Sequence, residues 1–579
     1  MKKLLTYILF FAAFSAFSQS FQWLKRGGSV ENPYADNEAT YSIATDSEKN
    51  YYVLSKVAMS GLNVDGYPKI NFDNPGSTPK DVVLASFACD GTYRWSKIFG
   101  GSGDETINSV VVDSQDNVYV GGSMGDCHPY PGTPTEPYPS RIDSEYFFSN
   151  TGSACSLTFF AKFNKNGVLQ YVKRPSLPTL NGSGSGWTFN FQMQNDIIYW
   201  YLWLKPGTYA DGGFTNSNTD SYTPYVLKYN LDGTFISATQ LGTVQTYDSS
   251  VVKYYRNPHN GYYYATIIKE SSFSTFYING QPIVNFAALV CYDNNGTFLW
   301  KRENTYTDSG SMKFFGLEFD SLNNIYIAGG ITGLNMDSFL GFSNSSFGTA
   351  FVMKTNPTAI SSLWVSNPNN SGGFGSFAGL LINNSEVAFT SGFASLSMNL
   401  TWGSQSISVP GANQGSDVLL ARINSATGAC LSLNKITSNT PSTDFGAAIV
   451  KDASGDYIIG GGFGGTLYDV NNNTVVNEGG DSDFFISKFS TQACLPLSSE
   501  SFEEAKMNIY PNPVQNVFTV PVKENTTYQL FTLTGVLIKQ GSINTTENTI
   551  SISEFASGCY LLHLQSETGK RESVKVIKE

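Results

Sequence analysis

The stretch WSKIFGGSGDETINSVVVDSQDNVYVGG, residues 95–122, decides how this chain folds. It combines a Trp-containing strand, a Gly pair, an Asp/Asn turn and a second apolar strand. Two interpretations fit it: a glycine-rich loop that binds phosphate, or one copy of a structural repeat. A phosphate loop needs a following helix whose N-terminus faces the anion. The glycines here are followed by a β-strand pattern, which favours the repeat.

The rest of the chain contains further copies of two phrases from this region. One phrase joins two strands through an Asp, Asn or Gly turn, as in VVVDSQDNVYVGG and EFDSLNNIYIAGG. The other joins two strands through a Gly-containing turn, and its copies place one position at Ser86, Lys162, Lys228, Cys291, Lys354, Arg422 and Lys488. The intervals are 76, 66, 63, 63, 68 and 66 residues. Seven copies of each phrase predict seven structural repeats.

Each repeat is predicted to form four antiparallel strands. Its turns contain the Asp, Asn and Gly residues of short hairpins, and its strands are rich in aromatic and β-branched residues. We therefore predict an all-β chain whose residues 19–495 form a seven-bladed β-propeller. The connection between the second and third strands is long. In several repeats it holds another hairpin-like phrase, such as TFYINGQPIV, LTWGSQSISV or LYDVNNNTVV.

The ring is predicted to close through the N-terminus. The outer strand of most repeats carries an aromatic side chain near its middle: Trp95, Tyr171, Phe235, Trp300 and Trp364, with Leu433 in the sixth repeat. After the seventh copy the chain runs into TQACLPLSS, which offers no such strand, whereas FQWLKRGG at 21–28 is an orphan copy. We predict that residues 21–28 pair with 484–490, with Trp23 beside them, and so cover an exposed sheet edge.

The N-terminus and the charge balance limit where the protein works. Lys2, Lys3, an apolar run and a small-x-small site predict a signal peptide over 1–18 and export from the cytoplasm. A membrane anchor would need about 20 apolar residues, so we expect no transmembrane segment in the mature chain. The formal net charge is −12 and no run of Lys and Arg is longer than a pair, which argues against nucleic-acid binding.

Cysteine placement offers one disulfide candidate, and histidine placement offers no metal site. Cys127 and Cys155 flank one irregular segment, so a disulfide between them is predicted for an exported protein, with two unpaired thiols as the open alternative. His128, His259 and His563 are far apart in the sequence, which argues against a zinc site. No cofactor is predicted, and Ca²⁺ at the acidic residues below is the open alternative.

Aromatic and acidic residues are the candidates for function. Trp200, Tyr201, Trp203 and the run Tyr262–Tyr264 could stack on sugar rings, although packing between blades is favoured. Five acidic residues precede the first strand of their repeats: Asp36, Asp104, Asp248, Asp308 and Asp444. Because they are spread over five repeats, bonds to backbone N–H groups are favoured over a catalytic or Ca²⁺ role.

These residues favour a non-catalytic binding or adhesion module for an extracellular ligand, with glycans as the candidate ligand class. The alternative is a secreted glycan-active hydrolase or lyase on a propeller scaffold, which needs a convergent pair of carboxyl groups. A Ser/His/Asp arrangement is not expected with three distant histidines.

The C-terminal residues carry several fixed phrases. After a polar linker at 496–506 come YPNPV (510–514), LFTLTGVLI (530–538), FASGCYLLHL (555–564) and VKVIK (574–578). Residues 507–579 predict about seven short strands and a small β-sandwich. The phrases resemble the C-terminal sorting domain of the type IX secretion system. In that family Pro511, Asn512 and Pro513 match the opening turn, Gly558 and Tyr560 match the Gly-x-Tyr strand, and Cys559 stands where an aliphatic residue is usual.

This resemblance implies a route of export. It implies Sec export, contact with the type IX translocon and its sortase, removal of the sorting domain, and a secreted or surface-attached product of a Bacteroidota-type bacterium. The stretch at 95–122 resembles the β-propeller repeat of large exported bacterial proteins. That second resemblance implies a propeller and no particular chemistry.

Overall fold

The structure is a computed structural model. It describes residues 19–30, 38–58, 61–70, 72, 80–101, 103, 105–125, 139–148, 156–175, 187–218, 222–246, 251–269, 276–306, 312–331, 337–343, 349–369, 374–394, 397–411, 415–439, 441–494, 509–533, 536–567 and 571–579. The chain divides into two compact units, residues 1–494 and 495–579. The predicted signal peptide (1–18) and linker (496–506) lie outside the described residues.

Short strands build the first half of the first unit. The N-terminal strand is β1 (Ser20–Gly28). Repeat 1 contains β2 (Ala39–Thr45), β3 (Tyr51–Val57), β4 (Asn63–Val64), β5 (Tyr67–Pro68), β6 (Asp81–Phe87) and β7 (Tyr93–Gly100). Repeat 2 contains β8 (Thr106–Val112), β9 (Val118–Gly125), β10 (Arg141–Ile142), β11 (Tyr146–Phe147), β12 (Ser156–Phe163) and β13 (Leu169–Lys173). Repeat 3 contains β14 (Trp187–Gln194), β15 (Ile197–Leu204), β16 (Gly207–Tyr209), a 3-10 turn (Ala210–Gly212), β17 (Phe214–Asn216), β18 (Thr223–Asn230) and β19 (Phe235–Gln240).

The second half of this unit continues the pattern. Repeat 4 contains β20 (Val244–Thr246), β21 (Val251–Arg256), β22 (Tyr263–Ile268), β23 (Phe276–Ile278), β24 (Gln281–Ile283), β25 (Ala287–Tyr292) and β26 (Phe298–Glu303). Repeat 5 contains β27 (Met312–Phe319), β28 (Ile325–Ile331), β29 (Ser338–Phe339), β30 (Phe342–Ser343), β31 (Thr349–Thr355) and β32 (Ser362–Ser366). Repeat 6 contains β33 (Phe374–Asn383), β34 (Glu386–Phe393), β35 (Asn399–Trp402), β36 (Gln405–Ser408), β37 (Asp417–Asn424) and β38 (Cys430–Ser438). Repeat 7 contains β39 (Phe445–Lys451), β40 (Tyr457–Phe463), β41 (Thr466–Tyr468), β42 (Thr474–Val476) and β43 (Asp483–Ser490).

Within the described residues, seven sheets share one antiparallel plan. Their four main strands run from the inner to the outer edge as β2-β3-β6-β7, β8-β9-β12-β13, β14-β15-β18-β19, β21-β22-β25-β26, β27-β28-β31-β32, β33-β34-β37-β38 and β39-β40-β43-β1. Neighbouring sheets touch through their inner strands: β2 contacts β8, β8 contacts β14, β14 contacts β21, β22 contacts β27, β27 contacts β33, and β33 contacts β39. Strand β39 in turn contacts β2. The chain is therefore all-β, as predicted, and its sheets follow one another around a closed circle.

The predicted ring closure is present. Strand β1 pairs antiparallel with β43, from Gly27 opposite Phe484 to Ser20 opposite Ser490, and Trp23 lies opposite Lys488. The closing sheet, β39-β40-β43-β1, thus takes its outer strand from the N-terminus. Without β1, the edge of β43 would expose unpaired backbone groups.

One bulge marks the same place in each main sheet and confirms the repeat alignment. The pairing shifts directly after Ser86, Lys162, Lys228, Cys291, Lys354 and Arg422, and in the closing sheet it shifts beside Trp23, opposite Lys488. The outer-strand side chains do not all share one register: Trp95, Tyr171, Trp300 and Trp364 lie opposite the aligned positions, whereas Phe235 lies opposite Tyr229 and Leu433 lies opposite Ala421.

The long second-to-third connections hold the predicted extra hairpins. Each repeat has one: β4–β5, β10–β11, β16–β17, β23–β24, β29–β30, β35–β36 and β41–β42. Strands β4, β10 and β41 also pair with β1, β7 and β38, the outer strands of the preceding sheets. These seven excursion hairpins therefore lie at one end of the strands, where the second strand ends and the third begins.

The second unit contains two sheets around one core. Its strands are β44 (Val517–Thr519), β45 (Thr526–Thr532), β46 (Leu537–Ile543), β47 (Thr549–Ser551), β48 (Gly558–Ser566) and β49 (Arg571–Lys578). The sheets are β44-β47 and β46-β45-β48-β49. Phe518, Ile550, Leu530, Leu562 and Val576, from both sheets, share one buried apolar cluster. The described part of this unit has six strands, against about seven predicted.

Candidate functional site

The aromatic residues predicted as candidates for sugar stacking are core residues. Trp200 and Tyr201 are fully buried and Trp203 is 6% exposed. The Trp200 ring packs edge-on against Phe160 of the preceding repeat, with centroids 5.3 Å apart. The Tyr201 ring stacks on Tyr254 of the following repeat at 5.6 Å. Packing between sheets, the favoured alternative, is therefore correct for these side chains.

The same holds for most of the Tyr262–Tyr264 run. Tyr263 and Tyr264 are buried, and Tyr262 is partly buried against the apolar cluster that contains Tyr264. The Tyr264 ring lies 4.8 Å from that of Phe319 in the next repeat. Tyr263 and Tyr264 are therefore not accessible to a sugar that approaches from solvent.

Of the five recurring Asp residues, only Asp444 lies within the described part of the chain; Asp36, Asp104, Asp248 and Asp308 lie outside it. Asp444 is fully buried. Its Oδ1 accepts hydrogen bonds from the Gly464 amide at 2.9 Å and from Ser442 Oγ at 3.0 Å. Burial raises the pKa of Asp444 to about 7. Its contacts are those of a structural acid that fixes the end of the second strand.

Sequence reasoning missed two glutamates at this structural position. Glu38 and Glu105 directly precede β2 and β8, as Asp444 precedes β39. Glu38 accepts hydrogen bonds from the Ala58 amide at 2.6 Å and the Ser29 amide at 3.1 Å. It therefore ties the closing sheet to the first sheet. The usable signal was an acidic residue immediately before an inner strand, whichever of Asp or Glu it is.

Electrostatics at this tie favour a protonated carboxyl group. Burial, with a smaller contribution from the negative charge of Asp483, raises the pKa of Glu38 to about 8. Burial likewise raises the pKa of Asp483 to about 7, although Arg26 Nη1 lies 3.5 Å from its Oδ2. Both groups belong to the junction between the first and last sheets.

The glycine pair of residues 95–122 has a packing role. Asp81 and Asp483 begin the third strands β6 and β43, and their carboxylates pack on the backbone of Gly100 and Gly28 at the ends of the neighbouring outer strands. A Cβ at either glycine would collide with the carboxylate. A Cβ at Gly101 would approach Ser140. The turn interpretation is confirmed, since β8 rather than a helix follows these residues.

The Asp residues of the first turns hold the repeats together internally. Asp113 accepts hydrogen bonds from the Asn117 amide at 2.8 Å and Tyr119 OH at 2.9 Å, and its Oδ2 lies 3.7 Å from Lys162 Nζ. Repeat 5 repeats this arrangement around Asp320, where Lys354 Nζ is 3.0 Å away. Three Lys residues of the alignment are therefore ion-pair partners of a turn Asp: Lys162, Lys354 and Lys488.

Trp95 and Trp364, on two outer strands, each join their sheet to the next. Trp95 Nε1 donates to the carbonyl of Lys165 at 3.0 Å, and its ring covers Gly167. Trp364 Nε1 donates to the Ser425 carbonyl at 3.2 Å, and its ring covers Gly428. A side chain on either glycine would collide with the indole. This contact explains why Trp and the turn Gly recur together.

Glu318 is an ionisable residue on an inner strand that lies outside the turns and sheet junctions described above. Burial raises the pKa of Glu318, on β27, to about 7, against the opposing effect of Lys451. Lys451 Nζ donates to the Ile382 carbonyl at 3.2 Å. Glu318 therefore has the acidity of a group that exchanges protons near neutral pH. Nothing in the sequence patterns singled it out.

Metal and disulfide predictions have separate outcomes. His259 lies in the first unit and His563 in the second, while His128 lies outside the described residues. Across the described ranges, no three His, Cys, Asp or Glu side chains are grouped to hold a metal ion. Cys127 and Cys155 lie outside those ranges, so their pairing stays a prediction. The structure forms a different bond, Cys89–Cys494.

The five sorting-motif residues meet at the end of β49. Asn512 Nδ2 donates to the Lys575 carbonyl at 2.8 Å, and its Oδ1 accepts from the Ile577 amide at 2.8 Å. Pro511 and Pro513 flank this bridge. Gly558 lies opposite Lys578, and Tyr560 lies opposite Val576. The opening turn, the Gly-x-Tyr strand and the closing phrase thus form one structural cluster.

Comparison with known proteins agrees with this arrangement. Residues 508–579 match the family described as "Secretion system C-terminal sorting domain", and residues 94–123 match the family described as "Beta-propeller repeat". In the described part of the chain, no helix is long and apolar enough to cross a membrane.

Whole-chain similarities are distant. An uncharacterized WD repeat-containing protein, L264, of Acanthamoeba polyphaga mimivirus is 24% identical over 263 residues, which are 40% of this chain and 18% of that protein. The chain thus spans under a fifth of that curated relative's length.

Similar solved structures share little sequence with the chain. A protein of unknown function from Dyadobacter fermentans is 11% identical, over 64% of this chain and 94% of that one, with a TM-score of 0.35. Quinohemoprotein alcohol dehydrogenase from Comamonas testosteroni is 11% identical, over 86% and 79%, with a TM-score of 0.34. An endo-arabinase from Bacteroides thetaiotaomicron is 10% identical, over 48% and 88%, with a TM-score of 0.26. Scores this low assign no activity.

The two family matches cover the two parts of the chain that carry its fixed phrases, and the sheets follow one repeated plan. Residues 94–123 and 508–579 therefore identify a β-propeller-repeat protein that carries a type IX secretion C-terminal sorting domain.

Proposed function

We propose that this chain is a seven-bladed β-propeller that leaves a Bacteroidota-type cell through a signal peptide and type IX secretion, and then binds an extracellular ligand without catalysis. Seven sheets with one plan, in contact through their inner strands, support the blade count. The sorting-domain match supports export to the medium or the cell surface. Removal of that domain by the sortase completes the proposed route.

The structural use of the recurring polar residues is the observation that carries the non-catalytic proposal. Glu38 and Asp444 bind backbone amides, and Asp113 and Asp320 bind turn amides, Tyr hydroxyls and Lys side chains. A carboxylate that accepts several hydrogen bonds inside a sheet junction is not available to a substrate. Contacts that hold the ring together thereby explain why these acidic residues recur in the sequence.

The excursion hairpins provide the proposed binding surface. On the β4–β5 hairpin, Tyr67 is 52% exposed, and its ring stacks on Tyr93 with centroids 4.2 Å apart. On the β10–β11 hairpin, Phe147 is 51% exposed. The Arg141 guanidinium lies 3.6 Å from the centroid of the Phe72 ring and 5.7 Å from that of the Phe147 ring. Flat aromatic faces beside hydrogen-bond donors suit the apolar faces and hydroxyls of sugars.

Glycan binding by the exported protein tests this proposal. Tyr67→Ala is expected to weaken binding to a responding glycan about tenfold, equal to about 1.4 kcal/mol. Leu322→Ala is the matched control, since Leu322 is 73% exposed in a first turn, at the opposite end of the strands. Equal losses for both variants, or no binding by the wild type across a broad glycan array, would count against the proposal.

The second candidate is a glycan-active hydrolase or lyase, and Glu318 is the observation that favours it. A carboxyl group with a pKa of about 7 can serve as a general acid. Turnover of a polysaccharide that Glu318→Gln abolishes while folding is retained would replace the binding proposal. If the protein only binds its ligand, no polysaccharide is turned over in the same screen.

A further inference from the structure

The closing sheet lacks a covalent connection that the other main sheets have. In the first sheet, for example, a tight turn joins β6 to β7, with the Gly91 amide donating to the Ala88 carbonyl at 2.9 Å. In the closing sheet, β43 ends at Ser490, and its outer neighbour is β1, Ser20–Gly28. Only non-covalent contacts join these two strands directly. The seam is therefore the place where the ring can open without breaking the chain.

The Cys89–Cys494 disulfide lies at this seam. Cys494 follows the end of β43, and Cys89 lies in the turn between β6 and β7 of the first sheet, 405 residues earlier in the sequence. The carbonyl of Cys89 also accepts a hydrogen bond from Trp23 Nε1 at 3.1 Å. One residue of the first sheet thus holds both the closing strand and the end of β43. The equivalent contact one sheet further on, Trp95 to Lys165, has no such covalent tie among the described residues.

The surroundings of the bond are buried and charged. Lys488 is 1% exposed, and its Nζ lies 2.9 Å from Asp452 Oδ2 and 3.1 Å from Asp456 Oδ2. The same ammonium group lies 3.0 Å from Tyr51 OH and 3.5 Å from Cys89 Sγ. Fraying of β43 would expose this cluster and break its pairing, which is costly for buried charges.

We infer that the Cys89–Cys494 disulfide is a clasp: it ties the end of β43, where the closing sheet has no turn, to the first sheet, and it holds the new C-terminus after the sorting domain is removed. The second part rests on the proposed function. Cleavage between residues 495 and 507 leaves Cys494 close to the new chain end, and chain ends fray unless they are tied down. A crosslink there also removes the freedom of the opened chain, more so for a long loop.

Peptide mapping without reductant is the first test. A peptide that links Cys89 to Cys494 is expected in the exported protein and in purified full-length chain. A link from Cys494 to any other cysteine would overturn the clasp. This result does not depend on whether residues 507–579 have been removed.

Hydrogen exchange is the second test, on full-length protein with a specific protease site inserted in the linker and then cut. Amides of residues 20–28 and 483–490 are expected to exchange at least tenfold faster in Cys494→Ser than in wild type, while amides of β27 and β28 are unchanged. Cys559→Ser, in the second unit, is the control. Equal exchange at the seam would overturn the clasp. If Cys494→Ser does not fold, mild reduction of folded wild-type protein gives the same comparison.

The two proposals fail separately. If exported protein keeps residues 507–579 but the seam exchanges faster without the disulfide, the clasp stands as a ring closure and the processing proposal falls. If residues 507–579 are removed as proposed and hydrogen exchange at the seam is the same with and without the disulfide, only the clasp proposal is contradicted.

Discussion

Trp23, near the N-terminus, lies directly opposite Lys488 in the last strand of the repeat array. Its indole N–H donates to the Cys89 carbonyl of the first sheet, and Lys488 is enclosed by Asp452 and Asp456 of the last repeat. Both ends of the repeat array and its first sheet therefore meet at one point. We therefore expect the stability of the ring to depend on this junction.

Trp23→Ala is expected to destabilise the first unit by about 3–5 kcal/mol, because a side chain that is 7% exposed leaves a cavity between the first and last sheets. Chemical denaturation, followed by a signal from the first unit, measures this loss. Gln22→Ala, on the adjacent half-buried residue, should cost about 1 kcal/mol or less. A loss at Trp23→Ala no larger than that at Gln22→Ala would contradict the packing role assigned to the Trp23 side chain.

The tie made by Glu38 predicts a pH dependence of stability. Burial and Asp483 raise the pKa of Glu38 from 4.5 to about 8, so the folded state binds the proton more tightly than the unfolded state. The contribution of this group therefore favours folding at low pH and is lost as the pH rises from about 4.5 to about 8.

Glu38→Gln is expected to reduce the difference between the free energies of unfolding at pH 5 and pH 8. Glu48→Gln is the control, because Glu48 is 54% exposed on the opposite rim. An unchanged pH dependence in Glu38→Gln would contradict the buried, protonated state assigned to this carboxyl group.

The glycine pair offers a packing test. Gly100→Ala should destabilise the first unit by about 1–3 kcal/mol, because the added methyl group collides with the Asp81 carboxylate. Gly316→Ala is the matched control, since its nearest neighbour would be Leu380 Cβ at 3.6 Å, an ordinary contact. Thermal unfolding of the two variants side by side decides the point. A larger loss at Gly316 would refute the packing role of the pair.

The contacts of the five sorting-motif residues predict that loss of one side-chain amide, that of Asn512, impairs export. Asn512→Ala removes the two hydrogen bonds to Lys575 and Ile577, which should loosen the opening turn from β49 and leave most of the protein inside the cell. Gln540→Ala, at an exposed position of β46, should export normally. Immunoblots of medium, surface and periplasmic fractions measure the difference. Normal export of Asn512→Ala would show that this bridge is not needed for sorting.

The sequence alone was enough to place a residue whose role follows from the strand that contains it. Trp23 could be placed because a copy of the outer strand was missing at one end of the array and present at the other, and hydrogen bonding at the sheet edge requires such a strand. Trp200 and Tyr201 are both buried although they point to opposite faces of β15, because that strand is a near-continuous apolar run packed on both faces.

Contacts between residues that are far apart in the sequence could not be predicted in the same way. Cys127 and Cys155 looked like partners because they are near in sequence, whereas Cys89 and Cys494 meet only once the ring has closed. Glu38 was passed over in favour of Asp36 because alignment by residue type did not reveal which acid stands directly before the inner strand. These contacts depend on how sheets face each other, which a repeat pattern does not encode.

Mass spectrometry of the protein recovered outside the cells shows whether it is exported and processed by the proposed route. We expect a chain that begins near Gln19 and ends before residue 507, with Cys494 retained. We also expect a chain lacking residues 507–579 to remain in the periplasm. An exported form with an intact C-terminus at Glu579, or efficient export of the shortened chain, would refute type IX export and processing of this protein.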